Sequence, residues 1–136
     1  MLPAENKNLI ASLWIIVGEY VVYWGWPLWV RWIREADDVD VCVSRSVRLR
    51  LLQSGKHNVI ATKYGNESFI VWNMEVAYTI PWLSFNEIED AIKNADIIDG
   101  VAYLSLSYTK QSKKYMNREK DRIDIALIDA YLAEWN

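Results

Sequence analysis

Apolar and polar positions change period several times along the chain, and each change marks an element. Phe85, Ile88, Ala91, Ile92 and Ala95 recur at helical spacing and give one apolar stripe. In front of them, Ser84-Phe85-Asn86-Glu87 is a capping box, in which Ser84 accepts from the Glu87 amide while Glu87 reaches back to the Ser84 amide. Upstream, Val59 to Thr62 is a short β-prone run that stops at the turn cluster Lys63-Tyr64-Gly65-Asn66. Phe69-Ile70-Val71-Trp72 follows, aromatic and β-branched as strands are. Downstream, Asp99-Gly100 breaks the helix, and Val101 to Ser107 runs on as a strand with Ala102, Leu104 and Leu106 on one face. From Gly55 to Ser107 the pattern thus predicts turn, strand, turn, strand, helix, strand: a helix packed on a small mixed sheet.

The flanks carry mixed signals. Leu9 to Val30 is apolar almost throughout and long enough to span a bilayer. Glu19 stands at its centre, however, where a charge costs roughly 2.5–3.5 kcal/mol, and Gly18, Gly25 and Pro27 divide it. The pieces read as a helix near Asn8–Val17, an extended Glu19–Trp24 and a short helix opening at Pro27. With no basic start or small-residue cleavage site, a buried or interface segment is expected, and no membrane partner. Val39, Val41, Val43, Val47, Leu49 and Leu51 alternate as in a strand. Yet Asp37 and Asp38 ahead, Arg48 and Arg50 near the end and Gly55 at the stop suit a helix burying Val43, Val47 and Leu51. Lys110 to Arg122 reads as a charged connector, either a solvated loop or a contact for RNA phosphates. Ile123 to Trp135 alternates weakly as a strand, though its Ala, Leu and Glu content also suits a helix.

Composition narrows the class. At 136 residues the chain has room for one domain with a short extension, divided here into an aromatic-rich segment 1–36 and a domain 37–136. A hydrophobic fraction of 52% supports a packed core and excludes wholesale disorder. Eight Trp and eight Tyr against two Phe favour either a surface that meets a partner or a Trp-rich core. The net charge of −3 argues against binding nucleic acid by charge alone. One cysteine, Cys42, excludes an internal disulfide and a cysteine-based zinc cage. With a single histidine as well, any metal would have carboxylates alone, so neither a metal site nor a cofactor is expected. That histidine, His57, is expected to be structural or exposed, and the protein cytoplasmic.

Leu51-Leu52-Gln53-Ser54-Gly55, then Lys63-Tyr64-Gly65, then Phe69-Ile70-Val71-Trp72 resembles the C-terminal domain of tRNA-splicing endonucleases. The likeness covers roughly 41–107 and, more loosely, 123–131. It implies an α+β fold, a small mixed β-sheet with packed helices in a nuclease-like α/β/α core, and it favours a helix over Val41–Ser54. That family cleaves RNA without metal through a Tyr, a His and a Lys, which serve as proton acceptor, proton donor and cation. Those positions fall here at Trp72, Glu75 and Gly100, so the resemblance implies a pseudo-active site and no catalytic residue. It further implies a non-catalytic structural subunit, not an enzyme by itself. Such a subunit pairs with a catalytic subunit of tRNA-splicing endonuclease in a heterotetramer of two pairs, which cleaves precursor tRNA at bulge–helix–bulge borders. Ile123, Ile125, Leu127, Ile128 and Tyr131 would then form an edge strand for pairing, and Lys93, Lys110, Lys113 and Lys114 are the candidate RNA contacts. Three other readings stand beside it: a free-standing RNA-binding or regulatory α+β module, a protein anchored in a membrane by Leu9–Val30, and an enzyme with a site near Glu75, Asp96 and Asp99.

Overall fold

The computed structural model describes residues 2–61 and 66–135, and all but Asn66 of the expected turn at 63–66 lies outside them. Within Leu9–Val30 the breakers act as their chemistry requires. The first helix, expected near Asn8–Val17, is instead α1 (Ala4–Ser12), which ends well before Gly18; that glycine has φ +96°, a conformation that a side chain would strain. The β-branched pair Val21-Val22 then extends as β1 (Tyr20–Tyr23), and Pro27 sits in the first turn of the short α2 (Trp26–Trp29). Next come β2 (Val39–Val43), α3 (Arg45–Ser54), β3 (Ile60–Ala61), β4 (Glu67–Val71) and β5 (Met74–Ala77). The chain closes with α4 (Phe85–Lys93), β6 (Asp96–Ile98), β7 (Val101–Tyr103), α5 (Leu106–Met116) and α6 (Glu119–Trp135).

The seven strands among the described residues form one mixed sheet in the order β3-β4-β5-β2-β1-β7-β6. Strand β2 pairs parallel with β5 and antiparallel with β1, and β1 pairs parallel with β7. Because side chains alternate, each interior strand feeds two cores. On one face Val22, Val41, Phe69, Met74 and Val76 pack with Ile10 of α1 and Val47 and Leu51 of α3. On the other, Val21, Tyr23, Cys42 and Ala77 meet Ile88, Ala91 and Ile92 of α4. Helix α6 closes against Leu28 and Leu106 through Ile128. The molecule is therefore α+β, a mixed sheet with helices on both faces.

Several expectations need correction. Val39–Leu51 satisfies both of its periods in turn: β2 ends at Val43, and α3 starts at Arg45, capped by the Ser44 hydroxyl accepting from the Val47 amide. The helix expected over Val41–Ser54 is thus shorter, and Val43 belongs to the sheet. Helix α4 keeps its capping box but ends at Lys93, ahead of an unforeseen β6. The last predicted strand stops at Tyr103, because Ser105 accepts from the Tyr108 amide and starts α5. The charged connector Lys110–Arg122 is mostly the end of α5 and the beginning of α6. Ile123–Tyr131 is helix, not an edge strand. Ile128 is fully buried while Ile123 faces solvent, so those residues offer no strand for pairing. Segment 1–36 supplies β1, which lies between β2 and β7 inside the sheet. Among the described residues no helix is long and apolar enough to cross a membrane.

Candidate functional site

Strands β2 and β5 run in parallel, with Asp40 directly beside Glu75 in the register. Asp40 points to the face that carries Tyr23 and Cys42, and period-two alternation puts Asp38 on the same side one pleat earlier. Asp40 is buried, with the Glu75 carboxylate beside it. Two carboxylates brought together out of water are eased by one proton held between them. Burial first, then the charge of Glu75, pushes the Asp40 carboxyl up to about 7. Tyr23, buried beneath the pair, is likewise pushed upward by burial and by these acids.

A cleft of about 800 Å³ opens over this pair, at the end of the sheet where β1 finishes and β2 and β5 begin. That volume falls within the range of ligand sites. Asp37, Asp38, Asp40 and Glu75 line one side, while Arg34, Lys113, Arg118 and Lys120 line the other. Trp24 and Trp72 stand in the wall. Trp72 occupies the two-residue turn between β4 and β5 at φ +57°, with its indole 79% exposed.

The basic side is built on α5 and α6. Lys113 is buried against two carboxylates, Asp121 at 3.4 Å and Asp124 at 3.2 Å. Arg34 grips Asp124 with two bonds of 2.6 and 2.8 Å, and Arg118 holds Asp121 at 2.6 and 3.0 Å. Burial alone would raise both aspartates; the Arg and Lys bonds outweigh it and hold them below the usual carboxylate range. Three cations against two anions leave this wall positive, and Lys120 adds to it.

The residues singled out in the sequence are dispersed. Trp72 and Glu75 do line one cleft, but Gly100, in the β6–β7 turn, lines a different one of about 270 Å³ beside Lys7 and Tyr20. Glu75 is also remote along the sheet from Asp96 and Asp99, because β2, β1 and β7 intervene. Asp96 pairs with Arg31 and Asp99 with Lys7. Of the candidate RNA contacts, Lys113 is buried and Lys110 pairs with Asp129, while Lys93 and Lys114 are exposed. His57 stacks on Phe69 at 4.2 Å, as a structural histidine does. Sequence reasoning missed Asp40, whose signal was Asp38-Val39-Asp40: Asp-x-Asp at the head of a strand puts two carboxylates on one face.

Fold and cleft together define an α+β protein with a polar cleft at one end of a mixed sheet, acidic on one wall and basic on the other. No family model matches the chain, and no curated protein or solved structure does so.

Proposed function

We propose that the cleft binds a divalent cation together with a phosphorylated ligand. The observation that carries this reading is the Asp40–Glu75 pair: two carboxylates forced together under a cleft whose opposite wall is cationic. A hard cation at the pair would displace the shared proton and relieve the repulsion. Among the described residues no three His, Cys, Asp or Glu already converge on a metal position. A magnesium ion commonly takes only one or two carboxylates and completes its shell with water and substrate phosphates. Such an ion, held by Asp40 and Glu75, would neutralise part of the charge on the bound phosphates. Lys120 lines the same space on the positive wall and can draw in an anionic ligand. The indole of Trp72 offers a flat apolar surface at the rim for an aromatic part of the ligand.

Calorimetric titration with ATP, in the presence and absence of Mn²⁺, tests the proposal. Binding that requires the metal and is lost in Asp40→Asn and Glu75→Gln is expected. The structural-subunit reading drawn from the resemblance gives the opposite result, with no metal-dependent nucleotide binding and no effect of either substitution. It also lacks the pairing strand on which it leaned, since that segment is α6.

A further inference from the structure

No Asp or Glu occurs between Asp40 and Glu67, the longest such gap in the chain, and it contains Arg45, Arg48, Arg50, Lys56 and Lys63. The rest of the sequence carries ten cations against eighteen acids, so this stretch is a basic island on an acidic protein. Helix α3 lies within it. Val47 and Leu51 bury its inner face, while Leu49 and Leu52 are exposed on the outer one. Among the described residues neither Arg45 nor Arg50 pairs its side chain with a carboxylate.

Beside α3 stands a second exposed apolar element. The turn between α1 and β1 presents Trp14, 82% exposed, with Ile16 and Val17. It is a built turn: the Ile16 amide donates to the Glu19 carboxylate, and the Glu19 amide donates to the Ile16 carbonyl at 2.9 Å. Trp14 is held at φ +58°, a conformation unfavourable for a bulky side chain. The Arg50 guanidinium fixes the turn to α3 by donating to the carbonyls of Leu13 and Trp14 at 3.2 and 3.1 Å. A strained indole and two aliphatic side chains are thus kept in water at the edge of a basic helix.

We propose that this turn and the outer face of α3 dock on an anionic lipid bilayer, with Trp14, Ile16 and Val17 entering the interface and Arg45 and Arg50 meeting lipid phosphates. Charge complementarity selects an anionic partner, since the island is the longest stretch of this chain without acids and carries five cations. The aliphatic side chains select lipid over nucleic acid, because Ile16, Val17, Leu49 and Leu52 have no ring with which to stack on a base. Ile16 and Val17 stand exposed on the turn and Leu49 and Leu52 on the adjoining helix, and an indole beside aliphatic and cationic groups suits the headgroup boundary. This surface lies at the start of β1 and the polar cleft at its end, so the two inferences are independent.

Co-sedimentation of the full chain with phosphatidylcholine vesicles, with and without phosphatidylglycerol, tests the proposal. Salt-sensitive binding to the anionic vesicles alone is expected. Ile16→Ser with Val17→Ser should weaken it roughly tenfold or more, and Arg45→Glu should weaken it separately, with thermal unfolding unchanged in each. Absence of binding at low salt, equal binding to neutral vesicles, or indifference to these substitutions would overturn it. So would self-association of the wild type that the serine variant abolishes, which would assign the surface to a second copy.

Discussion

Asp40 is under tension from two directions. Burial strips its carboxylate of water, and Glu75 places a second acid against it, so the neutral form is favoured up to about pH 7. An unfolded aspartate ionises near pH 4, so between about pH 4 and 7 the folded chain holds a proton that the unfolded chain has lost. Stability from this residue is therefore full below about pH 4 and is lost as pH rises through about 7. Asp40→Asn should accordingly raise Tm at pH 8, by roughly 1–2 kcal/mol of stability, and flatten the pH dependence in that window. Thermal unfolding across pH 4–8 checks this; a variant less stable at pH 8 would refute the buried strain. Lys113 makes the reverse case. It neutralises two buried acids, so Lys113→Met should cost about 3–5 kcal/mol in urea unfolding. Asp121 and Asp124 are both depressed, so their contribution should be lost as pH falls below about 4.

At the scale of elements, the C-terminal segment separates a helix from a strand most sharply. In α6, Ile128 seals Leu28 and Leu106 while Ile123 is exposed. Ile128→Ala should therefore cost about 2–5 kcal/mol and Ile123→Ala less than about 0.5, measured by chemical denaturation. Comparable losses at both would argue against this helix. The capping box of α4, the breakers in Leu9–Val30 and the strand at Phe69 were legible because the signals are local and agree. The segment 39–54 was not, because alternation and helix caps both occur there and only the Ser44 cap divides them. Helices α5 and α6 were hidden for a different reason. Their interior holds Lys113, Asp121 and Asp124 in place of apolar residues, so the buried stripe does not look buried in sequence.

On the scale of the whole molecule, the site comes from register, which a sequence does not display. Asp40 and Glu75 are 35 positions apart in the numbering and become neighbours only because β5 returns parallel to β2. The facing wall arrives from α5 and α6, whose own charges had read as a solvated loop. Trp72 and Glu75 line this cleft, but the resemblance set them in a pseudo-active site that also required Gly100, which lies across three strands in another cleft. The sheet thus has a polar end where acids and cations face each other across a cleft, and an opposite end where Trp14 stands in solvent.

The most direct measurement is paramagnetic broadening in ¹⁵N-resolved spectra during titration with Mn²⁺ and ATP. The account predicts broadening centred on the amides of Asp38 to Val41 and Asn73 to Val76, and its absence in Asp40→Asn. Broadening centred elsewhere on the chain, or none under saturating metal and nucleotide, would contradict it.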